Sequence, residues 1–428
     1  MNCIPSLNVP VLLACVATCA ACGTQVADPH TPTDPLTYRI SYTVEPQPAE
    51  GAVEVTLRLS QSRSLLRELT LRPDDRISKL EADGNLVSDD TGMHWNPPES
   101  GGTMSWRVAV ANRRNGDGYD AWLGVDFGLF RAEDVIPRAS SRTLKGAASE
   151  TWLSFQLPPT WSVVTQYFND GGQIRIEDPD RRFDQPSGWF VFGDLGVRRE
   201  RIASMRVAVA GPVGHAVRRL DTLALLNWTL PELARLLPEL PPRLTIVSAG
   251  EPMWRGGLSA PQSLFLHAER PLISENATST LLHEVIHMSL GLTSRDGYDW
   301  IVEGFAEYYS LQLLQRSGTI SNARFAAAQA DLSDWAKSAG NLCGPTSTGA
   351  TTALAVTILD ALNKEILEKS AGESSLDDVA RELWRLDEKV SLDHLNAVVE
   401  KLTGHETDVL HSENLPGCRT IASLNSTN

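Results

Sequence analysis

Apolar and polar positions alternate in three early stretches: Tyr38-Arg39-Ile40-Ser41-Tyr42-Thr43-Val44, Val53-Glu54-Val55-Thr56-Leu57-Arg58-Leu59 and Trp106-Arg107-Val108-Ala109-Val110. A period of two puts successive side chains on opposite faces of a strand, and the Gly, Pro, Asn and Asp residues between the runs mark turns. Further strands are predicted over 151–157, 173–176 and 189–192. Residues 36–200 are therefore expected to form a β-rich, sandwich-like domain of half-buried antiparallel strands.

The period changes near Arg201. Strand-like residues 205–210 lead into a helical stretch around 217–226, strands follow at 243–247 and 263–267, and the pattern is helical from Ala277 onward. Leu354, Ile358, Leu362, Ile366 and Leu367 recur at 3- and 4-residue spacing on one helix face. Ser375-Leu376-Asp377-Asp378 opens another helix with a capping residue and two carboxylates in the first turn, where the helix dipole favours them. The expected class is α+β: a β-sandwich-like domain over 36–200, a mixed domain over 201–320, helices over 321–416 and a tail over 417–428.

Composition narrows the function. A chain of 428 residues has room for two or three domains. Lys plus Arg number 38 against 53 Asp plus Glu, a formal charge of −15. Neutralising phosphates needs clustered cations, so nucleic acid is not an expected partner. Residues 1–27 carry no charged side chain, and the apolar or small run over 9–21 has the length of a signal-peptide core. The expected reading is a signal peptide over 1–21, a linker over 22–35 and an exported protein, periplasmic or at the cell surface. Small residues before Cys22 resemble a bacterial lipobox, which makes Cys22 the candidate for lipidation and membrane anchoring. An apolar tail, or a misplaced start codon, is the other reading. Cys343 and Cys418 are the only cysteines beyond the leader; in an exported protein they are expected either to pair or to remain two unrelated thiols.

The chemistry is carried by His283-Glu284-Val285-Ile286-His287. On a helix, positions i and i+4 share a face, so both imidazoles can present a nitrogen to one metal ion. Glu284 is the candidate catalytic residue, a general base for an activated water. Zinc catalysis needs a third protein ligand and an open position. Sixteen residues past His287 stands Glu303, in Asp299-Trp300-Ile301-Val302-Glu303-Gly304-Phe305-Ala306-Glu307-Tyr308-Tyr309. This reads as a second helix, with Asp299 as N-cap and an apolar stripe through Ile301, Phe305 and Tyr308 or Tyr309. Zn²⁺ is thus the expected cofactor, with His283, His287 and Glu303 as ligands. Glu307, one turn on, is the candidate to orient a ligating histidine.

HExxH followed by Trp-x-x-Glu-Gly-Phe-Ala resembles the gluzincin zinc metallopeptidases, particularly the aminopeptidase N and glycyl aminopeptidase branches. The helical segment from Ser375 to Trp384, with Leu402-Thr403-Gly404 beyond it, resembles the end of the second branch. The resemblance implies a thermolysin-like catalytic domain over 201–320, a peptide or protein substrate, and Glu303 as third ligand. It also implies an edge strand at Gly256-Gly257-Leu258-Ser259 that pairs with extended peptide.

Three departures bear on activity. The spacing between His287 and Glu303 is a few residues shorter than in aminopeptidase N relatives. Ser259 stands where those relatives carry the Glu that binds a free α-amine, which leans the expectation toward endopeptidase over aminopeptidase action. Thr346-Ser347-Thr348-Gly349-Ala350 stands where they carry a Tyr before Gly-Ala, and an oxyanion donor is worth roughly 100- to 1000-fold in rate. His394, His405, His411, Tyr308 and Tyr309 are the substitutes the sequence offers. The competing expectation is a weak or inactive peptide-binding scaffold lipoprotein that keeps the fold.

Overall fold

The computed structural model describes residues 35–72, 75–114, 118–167, 172–177 and 183–418. The expected signal peptide, Cys22, almost all of the linker and the tail beyond Cys418 lie outside the described residues.

Alternation builds the first domain as expected. In the strand Thr37–Gln47, Tyr38, Ile40, Tyr42 and Val44 are buried while Ser41, Thr43 and Glu45 are half-buried. That strand lies inside a six-stranded sheet in the order Ile174–Ile176, Ala148–Phe155, Thr37–Gln47, Ala52–Ser60, Gly101–Ala109, Ile77–Ala82. Its pairing with Ala148–Phe155 is parallel and the other pairings are antiparallel. A four-stranded sheet (Ala139–Thr143, Leu66–Leu71, Gly92–Asn96, Asn85–Asp89) shares its core, which includes Trp95 and Trp106. Strands Ile77–Ala82 and Asn85–Asp89 escape the sequence pattern because neither buries a side chain.

A further five-stranded sheet, in the order Ser162–Val164, Trp189–Gly193, Phe127–Arg131, Tyr119–Leu123, Asn112–Arg113, links this domain to the next. Phe127, Leu129, Trp189 and Val191 pack in one cluster with Ala210, Val247, Met253 and Phe265 of the second domain. The single helical turn α1 (Ala132–Val135) belongs to the first domain.

The second domain starts on a sheet ordered Leu195–Ile202, Met205–Pro212, Arg243–Ala249, Ser263–His267, Gly257–Ala260. Its three inner strands run parallel and both edges antiparallel. The expected division between residues 200 and 201 therefore cuts the strand Leu195–Ile202, whose pairing with Met205–Pro212 runs from Leu195 opposite Pro212 to Ile202 opposite Met205. The register makes that strand part of the second domain.

Helix α2 (Arg219–Leu236) continues well past the predicted end at 226, through Pro231, because Leu230, Leu233 and Leu236 extend its buried face. Then come α3 (Thr280–Leu290), α4 (Asp299–Arg316), α5 (Asn322–Ala336), α6 (Ala350–Lys369), α7 (Leu376–Trp384) and α8 (Leu392–Thr403). On α6, Ile358, Leu362 and Ile366 are buried as expected, whereas Leu367 is 39% exposed and lies off that face. The capping box at α7 forms as read, with Ser375 N–H donating to Asp378 Oδ2 at 2.9 Å. No described helix is long and apolar enough to cross a membrane.

Candidate active site

Helix α3 carries His283, Glu284 and His287, and its ends are set by sequence. The Ser279 hydroxyl accepts from Leu282 N–H at 3.3 Å, and Gly291, at φ 62°, ends the helix in the left-handed conformation glycine tolerates. Helix α4 supplies Glu303 and Glu307. It is buried on nearly every side, from Trp300, Ile301 and Phe305 to Tyr308, Tyr309, Leu313 and Leu314, as befits a helix at the centre of a domain. Asp299 is not its N-cap. Tyr298 holds that position without a side-chain bond, and Asp299 Oδ2 instead accepts from Ser347 N–H at 2.7 Å. This anchors the 346–349 segment to the start of α4.

The two helices bring the expected ligands together. His283 Nε2 and His287 Nε2 are 3.0 Å apart, and each lies 3.3 Å from one Glu303 oxygen. Among the described residues, these three form the one group of His, Cys, Asp and Glu side chains close enough to hold a metal ion. Glu307 Oε2 accepts from His283 Nδ1 at 3.0 Å, which leaves Nε2 facing Glu303. Burial works against a charge on His283, but the Glu303 and Glu307 carboxylates outweigh it and hold its pKa up at about 10. Burial likewise opposes charge on Glu303, yet its bonds to His283 and His287 pull its pKa down to about 2. Two imidazole nitrogens and one carboxylate, oriented by a further carboxylate, match the donor set of a catalytic zinc site.

The centre opens into a cleft of about 360 Å³. Glu284, buried on α3, lines it beside His283 and Glu307. The facing wall is the start of the edge strand. Gly256 and Gly257 both line the cleft, and neither tolerates a side chain. A Cβ on Gly256 would meet the Trp254 ring at 2.0 Å, and one on Gly257 would meet Thr280 Cγ2 at 2.7 Å and Glu284 Cγ at 3.0 Å. Gly257 lets strand and helix close on the candidate base, and Gly256 leaves room for the Trp254 ring.

The edge strand divides its residues between two tasks. Gly256 O accepts from His267 N–H at 2.9 Å, so alternation turns the backbone groups of Gly257 toward the free edge. Leu258 does not line the cleft: its side chain packs against the cluster that includes Trp189 and Phe265, and its carbonyl accepts from Trp189 Nε1 at 3.0 Å. It belongs to the domain junction rather than the cleft. Ser259 is half-buried further along the same edge.

The substitutes for the absent tyrosine fall elsewhere. Tyr309 is fully buried and donates to Asp377 Oδ1 at 3.1 Å, Tyr308 is buried in the same core, His394 sits 3.6 Å from Glu388, and His405 and His411 are exposed away from the cleft. Sequence reasoning missed Trp254, Arg270, Asn276, Trp335 and Thr352, which line the cleft from four separate segments. None carries a local motif, although the half-exposed Trp335 on an otherwise polar α5 face was a visible oddity.

No protein-family model matches the chain, and no curated protein matches it in sequence. Solved structures do. The aminopeptidase N family protein from Idiomarina loihiensis superposes with a TM-score of 0.64 at 18% identity, covering 90% of this chain and 75% of that one. An M1 zinc metallopeptidase from Deinococcus radiodurans gives 0.54 at 15% identity, covering 87% and 91%. Yeast LTA4 hydrolase gives 0.53 at 14% identity, covering 91% and 70%. At these identities the likeness is one of fold, and the fold of this chain is that of the M1 zinc metallopeptidases.

Proposed function

We propose that this chain is a zinc-dependent peptidase. The observation that carries the reading is the convergence of His283, His287 and Glu303 within 3.3 Å of one another, at the wall of a cleft that also holds Glu284. Zn²⁺, when bound there, supplies Lewis-acid polarisation of a carbonyl and acidifies water. The chain's own residues do the rest. Glu307 fixes the His283 ring through Nδ1. Glu284 takes a proton from the attacking water and returns it to the leaving amine. The outward backbone groups of Gly257 are placed to pair with an extended substrate. A scaffold that only binds peptide has no use for the Glu284 carboxylate, which disfavours that alternative.

Ser259 offers a neutral hydroxyl where an amine-binding carboxylate would stand, which supports cleavage within a chain. Two structures of like fold, from Idiomarina loihiensis and Legionella pneumophila, are aminopeptidases by name, which supports removal of N-terminal residues. Peptides with free and acetylated N-termini separate the two: an endopeptidase cleaves both, an aminopeptidase only the free form. Export is part of the proposal. Cys343 and Cys418 form a disulfide, and disulfides persist in oxidising compartments.

The deciding experiment is zinc content with peptide turnover. About one zinc per chain and chelator-sensitive turnover are expected of the parent. Glu303→Ala should lose most of the metal, and Glu284→Gln should keep the metal and lose turnover. A metal-loaded Glu284→Gln enzyme with full activity overturns the proposal.

A further inference from the structure

The cleft lined by the Glu284 and Glu307 carboxylates also contains a cation with no carboxylate partner among the described residues. Arg270 follows the inner strand Ser263–His267 and lines the cleft with His283 and Glu284. It is exposed, and it is the one arginine or lysine among the described residues that line the cleft. Two nearby carboxylates are already committed, and the third, Glu284, is the candidate base. Glu269, its neighbour in sequence, pairs with Arg255 at 3.2 Å, and Glu307 is taken by His283 at 3.0 Å. Among the described residues, no carboxylate pairs with Arg270.

A second donor lines the same cleft. Asn276 sits in a tightly bonded turn, where Thr278 Oγ1 donates to Asn276 Oδ1 at 3.0 Å and Ser274 Oγ accepts from Thr278 N–H at 3.0 Å. With Oδ1 occupied, the amide NH₂ of Asn276 is free to donate. The turn is itself pinned from α5, because Arg324 Nη2 donates to Ser274 O at 2.7 Å. A guanidinium fork and an amide donor lining one cleft suit one ligand chemistry: a planar carboxylate held by charge-assisted bonds.

We propose that Arg270 and Asn276 form a carboxylate-recognition subsite, so that the cleft selects peptides presenting a carboxylate beside the scissile bond. The carboxylate is either an Asp or Glu side chain or a free C-terminus. This rests on the peptidase reading for its substrate class, though not for its binding chemistry. Without the subsite, the chain's charge of −15 and the cleft's own carboxylates disfavour acidic ligands.

The test uses the zinc-loaded protein and alanine-based peptides carrying Glu or Gln at each position in turn, each with free and amidated C-termini. The parent is expected to prefer a Glu peptide at one position, or a free C-terminus, by about 10- to 100-fold in kcat/KM, the range of a charge-assisted bond. Arg270→Gln and Asn276→Asp should each abolish that preference, with a much larger loss on the carboxylate peptides than on the uncharged ones, and Arg270→Lys should retain part of it. Dependence on amidation assigns the C-terminus; dependence on Glu against Gln assigns the side chain. Calorimetric binding of the same peptides to Glu284→Gln tests the subsite without turnover. If the parent cleaves nothing but this binding preference persists and disappears with Arg270→Gln, the peptidase reading fails and the subsite stands. Equal handling of all peptides, no binding of any, or a uniform loss in Arg270→Gln overturns the inference.

Discussion

At the scale of single residues, the centre depends on groups that touch the candidate ligands and base rather than on the ligands alone. Gly257 is the sharpest case. Replacing it with alanine puts a Cβ 3.0 Å from Glu284 Cγ, and the carboxylate must move. Misplacing a reacting group by about 1 Å costs on the order of 100-fold, so Gly257→Ala should lower kcat by roughly 10- to 100-fold while zinc content stays at the parent value. The protonation of His283 sets a second expectation. With its pKa near 10 in the metal-free chain, zinc must displace a proton at neutral pH. Apparent zinc affinity, measured with a competing chelator, should therefore rise about tenfold per pH unit through the neutral range. The same shift makes a stability statement. His283 binds its proton more tightly folded than unfolded, where the ordinary value is 6.5, so its contribution is fully present below 6.5 and is lost as pH rises toward 10. Thermal unfolding of the chelated protein should show Tm falling across that window.

At the scale of elements, the Glu-Gly-Phe segment acquires a physical reason. Gly304 lies where α4 crosses α6: a Cβ there would stand 2.8 Å from Ala355 Cβ and 3.2 Å from Leu359 Cδ1. The glycine brings the helix that carries Glu303 into close contact with its neighbour. In a free helix, alanine for glycine stabilises by about 1 kcal/mol. In this contact, overpacking costs about 1–3 kcal/mol, so Gly304→Leu should destabilise the protein to chemical denaturation and weaken zinc binding together. The strand that faces the cleft is braced from the other domain through Trp189 Nε1 to Leu258 O at 3.0 Å, and its inner neighbour through Trp189 N–H to Ser263 Oγ at 2.9 Å. Arg114, over the Trp254 ring at 4.0 Å, braces the next segment. The β-rich domain thereby positions one wall of the cleft.

At the scale of the whole molecule, a disulfide closes the C-terminal helical region on itself, and packing joins that region to the second domain. The Cys343–Cys418 bond spans a sequence separation of 75. Closing a loop of that length restricts the unfolded chain, and removing such a bond typically costs about 2–5 kcal/mol. Cys418→Ser is expected to lose stability in that range in denaturant titrations, with the zinc site intact in the folded fraction. One core cluster runs from Ile202 and Met205 through α3, α4 and α6 to Leu415 and Cys418, so the division expected at 320 marks a change of pattern rather than a separate core.

How much of this was legible in the sequence follows from how local each cause is. The buried alternation of Thr37–Gln47, the capping box at Ser375 and the i, i+4 placement of His283 and His287 are short-range consequences of backbone geometry, and the chain alone determined them. Glu303 was legible because a helix-to-helix turn is short and a metal needs a third donor. Other features were decided only by tertiary structure. Leu195–Ile202 belongs to the second domain because pairing, not pattern, assigns an edge strand. Asp299 reads as a cap but serves Ser347, since a carboxylate takes whichever donor the fold brings to it. Leu258 turns to Trp189, and Arg270, Asn276 and Trp335 meet across a cleft assembled from segments far apart in the chain. Sequence determined the donor set because chemistry and helical spacing are local properties. The shape, the wall and the charge of the space around it were left to the packing of distant surfaces.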